Sequence, residues 1–142
     1  MSRNEIRSSE EPGLCDTYYQ DNGLRGPTVD NGWKSCLHVR FSEQAHKHPD
    51  SIAIISETTK YTYKDVEDFS NAVARRIVQQ TSGQNAFVGI CMERSAQLIV
   101  GLIGILKAGC SYVPLDPTYP EDRINDMLLD IQAPVVVTTS GF

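Results

Sequence analysis

LKAGCSYVPLDPTYP, residues 106–120, compresses a helix end, a strand and a double-proline turn into fifteen residues. Lys107 stands in the last helical turn, where a cation favours the negative end of the helix dipole. Gly109 follows as the left-handed terminator, because glycine lacks the β-carbon that clashes at positive φ. Residues 112–115 then read as an extended segment. Pro117 and Pro120 stop it, since neither can donate a backbone hydrogen bond to a sheet.

Working upstream, Ser95 is a natural N-cap for the helix that Lys107 closes. Leu98, Ile99, Val100, Leu102, Ile103, Ile105 and Leu106 make that helix apolar nearly all round, as in helices buried on several sides. Gly101 and Gly104 read as points of close helix packing, at some cost in helix propensity. Residues 87–92 form a strand. Residues 64–80 form an amphipathic helix, with Val66, Phe69, Val73 and Ile77 at spacings of three and four. Thr62 caps it, with no full capping box expected from Lys64 and Asp65, and Gly83 ends it. Residues 52–56 are a β-branched strand, and residues 42–48 end a short helix before Pro49.

Downstream, Pro120 suits a first helical turn, and Glu121 and Asp122 favour its dipole. Ile124, Met127, Leu128 and Ile131 form the core stripe of that helix. Residues 134–138 are a third strand run after residue 86. Strand, helix, strand, helix, strand implies parallel pairing through right-handed crossovers. The fold class is α/β, with an incomplete parallel-type sheet and crossover helices. The sheet is expected to stop at Val135-Val136-Val137, an apolar edge that invites association.

The chain has 142 residues, about one domain, with 40% hydrophobic and 22% charged residues, enough for a real core. A net charge of −5 argues against a nucleic-acid groove or an anionic membrane as partner. Residues 1–36 contain four of the ten glycines and no surviving period, so they read as a flexible N-terminal extension. Its aromatics Tyr18, Tyr19 and Trp33 could alternatively dock on the segment that follows. The start of the chain is too polar for a secretory signal, and residues 98–106 are too short to span a bilayer. Cys15, Cys36, Cys91 and Cys110 form no C-x-x-C pair or disulfide framework. Together these features point to a soluble, cytoplasmic chain.

No glycine-rich nucleotide loop is present, neither G-x-G-x-x-G nor G-x-x-x-x-G-K-[ST]. Cys36-x-His38 and His46-x-His48 carry zinc-type ligands, but their irregular spacing reads as a solvated face and no metal is expected. Asp116 lies past a strand end, where open α/β sheets bind ligands. It is read instead as a turn residue bonded to local backbone amides. Cys91 and Cys110 fall in apolar surroundings that raise a thiol's pKa, which opposes a nucleophilic role. No catalytic, cofactor-binding or metal-binding residue is assigned.

The stretch LKAGCSYVPLDPTYP with Arg123 resembles the second core motif of nonribosomal-peptide-synthetase adenylation domains, close to LKAGxAYVPLDPxYPxxR. Cys110 and Ser111 replace small residues of the pattern. Residues 37–55, with Pro49-Asp50 at the junction, resemble the family's entry helix and first strand. Tyr61-Thr62-Tyr63-Lys64-Asp65-Val66 resembles its first core motif, with Val66 where leucine is commoner. Glu93-Arg94-Ser95 resembles the segment leading into the second. The resemblance covers residues 37–142 and implies the first portion of the large N-terminal subdomain of an AMP-binding, adenylate-forming enzyme.

By that resemblance the parent would activate an amino acid or related carboxylate with ATP and Mg²⁺, then load it on a phosphopantetheine thiol. The family's phosphate loop, substrate pocket and catalytic lysine would lie beyond Phe142. The resemblance also opposes Thr138 and Ser140 as phosphate ligands, because this strand precedes the phosphate loop. The chain therefore reads as a truncated adenylation domain, inactive alone. The alternative is a non-catalytic module that binds a synthetase partner or itself. Expected partners are the remainder of the domain, a carrier domain, or another copy through the C-terminal edge strand.

Overall fold

The computed structural model describes residues 36–56, 59–83 and 85–139. The fold set out here is the unit that begins at Leu37. The extension over residues 1–35, with Tyr18, Tyr19 and Trp33, lies outside the described residues.

Helix α1 (Leu37–Lys47) ends before Pro49, as the proline requires. Strand β1 (Ile52–Ile55) pairs antiparallel with β2 (Lys60–Thr62), forming a hairpin apart from the main sheet. Strand β2 is absent from the sequence reading because three residues are too few to show a period. Helix α2 (Tyr63–Thr81) starts at N-cap Thr62, where the structure corrects the expectation of an incomplete cap. The Asp65 amide donates to Thr62 Oγ1 at 3.1 Å, and the Thr62 amide donates to Asp65 Oδ2 at 2.9 Å. Asp65 thus closes the capping box that Glu or Gln usually closes. At the far end Ser82 already turns left-handed at φ 53°, ahead of Gly83 at φ 72°.

The main sheet follows. Strand β3 (Phe87–Cys91) lies between β4 (Ser111–Leu115) and β5 (Val135–Thr138), in the order β4-β3-β5 with both pairings parallel. Helix α3 (Ala96–Lys107) links β3 to β4, and α4 (Glu121–Asp130) links β4 to β5. Helix α3 is capped by Ser95 Oγ, which accepts the Leu98 amide at 3.2 Å. Its end is a Schellman turn: the Cys110 amide bonds Ile105 O and the Gly109 amide bonds Leu106 O, with Gly109 at φ 73°. That turn launches β4. Pro114 is tolerated within β4 because β4 is an edge strand.

Successive β3 side chains alternate between two covered faces. Val88 and Ile90 join Ile77 of α2, Ile105 of α3 and Cys110 in the core. Burying each of these aliphatic side chains stabilises the fold by roughly 1.5–3 kcal/mol. Gly89 points the other way, where an added Cβ would lie 2.8 Å from Leu128 of α4. Helix α4 is the looser cover. Ile124, Met127, Leu128 and Ile131 form the expected stripe but are only half-buried, and the helix has no fully buried residue.

Phe69 departs from the expected core stripe of α2: it is 50% exposed, whereas Val66 and Ile77 are buried. The two α3 glycines act as the sequence suggests. A Cβ on Gly101 would come within 2.9 Å of Ile90 Cδ1, and one on Gly104 within 2.7 Å of Val73 Cγ1 and 3.1 Å of Ser70 O. Gly104→Ala should therefore destabilise the protein by about 1–3 kcal/mol, because overpacking outweighs the gain in helix propensity. Gly89→Ala should cost less, since Leu128 is the end of a flexible side chain on a looser helix. Thermal unfolding of the two variants beside the wild type checks that order.

Candidate functional site

Strands β3 and β4 are parallel neighbours whose following helices lie on opposite faces. Helix α3 covers the Ile90 and Val137 side, and α4 covers the Gly89 side. The loops after the two strands therefore diverge and open a crevice at the carboxyl edge, the place where open α/β sheets take ligands. Met92, Glu93 and Arg94 line one wall, and Asp116, Thr118 and Tyr119 the other, around about 560 Å³.

Asp116 does not reach into this crevice as a free carboxylate. Its Oδ1 accepts the Thr118 amide at 2.9 Å and the Thr118 hydroxyl at 2.7 Å. Those two hydrogen bonds, backbone first, hold its carboxyl below the ordinary value. Arg123, the last residue of the long motif, stacks its guanidinium 4.6 Å from the Tyr119 ring centre. The motif's polar residues thus brace the turn that shapes the crevice. Cys91 is buried at the strand end, and burial, with Asp116 nearby, pushes its thiol pKa up. That shift opposes nucleophilic chemistry.

A second constellation joins three helices. Lys107 Nζ lies 2.7 Å from Glu67 Oε2, with the two side chains only 9% and 16% exposed. Lys107 also donates to Asn71 Oδ1 at 2.9 Å, and Asn71 donates back to Glu67 Oε1 at 3.3 Å. Ser42 of α1 donates to the Glu67 carboxylate at 3.1 Å, and the Lys107 ammonium sits 5.9 Å from the Phe41 ring centre. Burial alone would raise the Glu67 pKa, but Lys107, Ser42 and Asn71 outweigh it and hold the carboxyl low. His38 faces the same cleft, and burial followed by the Lys107 charge lowers its pKa. The sequence reading gave Lys107 a dipole role alone and missed Glu67, because the partners are far apart in the chain.

The imagined zinc ligands do not converge. His46 Nδ1 lies 2.7 Å from Ser42 O within α1, and His48 falls beyond the helix end. Among the described residues no group of three His, Cys, Asp or Glu side chains is placed to hold a metal. Thr138 closes β5, while Ser140 lies outside the described residues. No helix of the described residues is long and apolar enough to cross a membrane.

The family model described as AMP-binding enzyme matches residues 41–141. Polyketide synthase PksN of Bacillus subtilis (strain 168) is 46% identical over 103 residues, which are 72% of this chain and 2% of that protein. Malpinin synthetase of Mortierella alpina is 42% identical over 102 residues, 72% of this chain and 1% of that protein. Among solved structures, the nonribosomal peptide synthetase FmoA3, bound to alpha-methyl-L-serine-AMP, superposes with a TM-score of 0.71 at 27% identity. That match covers 75% of this chain and 12% of FmoA3. The N-terminal subdomain of Klebsiella oxytoca NpsA, in complex with 3-hydroxyanthranilyl-AMSN, gives a TM-score of 0.63 at 26% identity, covering 72% of this chain and 26% of NpsA's. The chain spans a small part of every one of these proteins. Its described fold corresponds to the N-terminal part of their adenylation domains.

Glu67 supplies a test with a definite sign. A carboxyl whose pKa is depressed by folding adds stability above its unfolded pKa and loses that contribution as pH falls through the folded pKa. Wild-type stability should drop on acidification below about pH 4, and Glu67→Gln should flatten that slope. At neutral pH Glu67→Gln should cost about 2–3 kcal/mol, because it leaves the Lys107 ammonium enclosed without its counter-charge. Glu67→Gln with Lys107→Met should recover part of the loss. Chemical denaturation from pH 3 to 8 measures all three effects.

Proposed function

Because the chain belongs to the AMP-binding enzyme family, we propose that residues 37–142 act as the front of an adenylation domain and supply its scaffold. The complete enzyme would activate an amino acid or related carboxylate with ATP, release pyrophosphate, and pass the acyl group to a phosphopantetheine thiol. Magnesium and positive groups on the phosphates would provide the electrostatic stabilisation that such a transition state needs. Residues 1–36 are a separate N-terminal extension in this reading, and the protein works in the cytoplasm.

One observation carries the proposal. The carboxyl edge of the parallel sheet is built, yet Asp116, Thr118, Tyr119 and Arg123 are engaged in bracing the turn after β4, and the sequence holds no glycine-rich phosphate loop. The first strands and helices are therefore present without the glycine-rich loop that would aim backbone donors at phosphate. Partners follow from the same reading: the rest of the adenylation domain, a carrier domain, and a second copy through the edge of β5.

The purified 142-residue protein should give no amino-acid-dependent ATP–pyrophosphate exchange above background across the proteinogenic amino acids. It should also elute as oligomers or melt with low cooperativity. Substrate-dependent exchange by the isolated chain would overturn the scaffold assignment.

A further inference from the structure

The polar row between α1 and α2 is balanced in charge at one end and unbalanced at the other. Glu67, Asn71 and Arg75 follow one another at intervals of four along α2, so they share one face. His38 and Ser42 are related in the same way on α1. Ser42 meets Glu67, whereas His38 lines a cleft with Asn71 and Arg75, so the two helices run in opposite directions along this contact. At the Ser42–Glu67 level the Lys107 ammonium has its counter-charge. One turn further on, His38 and Arg75 face the cleft, and among the described residues no acidic side chain lines it.

The cleft encloses about 600 Å³ and receives one basic group from each of three helices: His38 from α1, Arg75 from α2 and Lys107 from α3. The Lys107 side chain is only 9% exposed, and two of its three N–H donors go to Glu67 and Asn71. Arg75 is exposed and has no carboxylate partner among the described residues. Neither ring nitrogen of His38 makes a hydrogen bond among them. Burial, followed by the Lys107 charge, makes that ring less basic than usual, and no nearby anion offsets the two. The first turn of α1, which contains His38, holds no acidic residue either.

We propose that this cleft binds a doubly charged tetrahedral oxyanion of the phosphate kind. Its oxygens accept from the Arg75 guanidinium, the His38 ring and the remaining Lys107 proton, three donors carried by three different helices. Charge-assisted hydrogen bonds of this sort are roughly twice as strong as neutral ones. A planar carboxylate presents two oxygens in one plane and matches three converging helices less well. Ala74 and Val78 add an apolar wall beside the cations, with space for a substituent on the anion.

Protonation of His38 strengthens the site. The groups that face the ring from the neighbouring helices are Arg75 of α2 and Lys107 of α3, both cationic, with Glu67 already bound to Lys107. On α1 itself Arg40 and Glu43 lie 3.8 Å apart at exposed positions. A bound dianion supplies the negative charge that the protonated ring lacks, so anion and proton favour each other's binding.

For the test, the full 142-residue chain is titrated with sodium sulfate in a calorimeter, with chloride holding the ionic strength constant. Sulfate keeps its double charge throughout the neutral range, so a change in affinity with pH reports the protein. One-to-one saturable binding is expected, tightening at least about threefold from about pH 8 to about pH 6. Arg75→Gln and His38→Gln should each weaken it at least about tenfold at the lower pH, and His38→Gln should also abolish the pH dependence. Arg76→Gln removes the same charge from an exposed α2 position that does not line the cleft, and should leave affinity within about twofold of the wild type.

Inorganic phosphate and glycerol 3-phosphate then separate the sources of the anion. Equal affinity supports the free ion, and tighter binding of the ester supports an organic phosphate whose substituent rests on Ala74 and Val78. Absence of saturable sulfate binding at the lower pH overturns the proposal. Binding that is indifferent to Arg75→Gln and His38→Gln also overturns it. So does a loss that Arg76→Gln shares equally, because that result belongs to diffuse positive charge on α2 and not to a site.

Discussion

The ion pair between Glu67 and Lys107 is the constraint from which the arrangement of the helices follows. Enclosing two charges is expensive, and their attraction offsets that cost only when geometry and additional hydrogen bonds are good. Here Ser42 and Asn71 donate to the carboxylate, and Asn71 also accepts from the ammonium. Every surrounding element is therefore held to a narrow placement. Helix α1 depends on it most, since Ala45 is its only fully buried residue and Ser42 and Phe41 supply its polar and ring contacts. Helix α3 is anchored at Lys107, one residue before its C-cap Ala108. The Schellman turn that follows sets the direction of β4. One charge pair thus ties the first helix to the strand that leads into the carboxyl-edge crevice.

The pair works together with a close approach it does not itself create. Gly104 lets the α3 backbone come so near α2 that Val73 and Ser70 occupy the place of its missing side chain. Without that proximity Lys107 would meet Glu67 at the protein surface, where a salt bridge contributes little. Gly89 does the same on the other side of the sheet, admitting Leu128. Small residues set the layer spacing, and the enclosed charge then fixes the rotation of the helices within it.

Much of this fold was legible in the chain because its decisive signals are local. Ser95 as a cap, Gly109 as a terminator, the apolar run of α3 and the β-branched run of β5 each express themselves within a few residues. The parallel pairing followed from alternation of strands and helices, and the Asp116 turn from its proline context. Features that depended on distance were not legible. Glu67 and Lys107 are ordinary surface residues until tertiary packing encloses them. Strand β2 exists because β1 offers it a ladder, and its three residues carry no pattern alone. Phe69 satisfies the helical period of α2 yet lies half exposed, because a hydrophobic spacing identifies a face and not what covers it. The capping box escaped for a local reason: a rule written for Glu and Gln passed over an aspartate that reaches the same amide.

The carboxyl edge of the sheet and its β5 edge are finished in different ways. At the crevice, Asp116, Thr118, Tyr119 and Arg123 satisfy one another, so the loop after β4 has a fixed shape without a ligand. Preorganisation of that kind is what a reaction dominated by positioning and electrostatics requires of its framework. Along β5 the situation is reversed: among the described residues the strand exposes Val136 and one unpaired side of its ladder, an arrangement with shape but incomplete pairing.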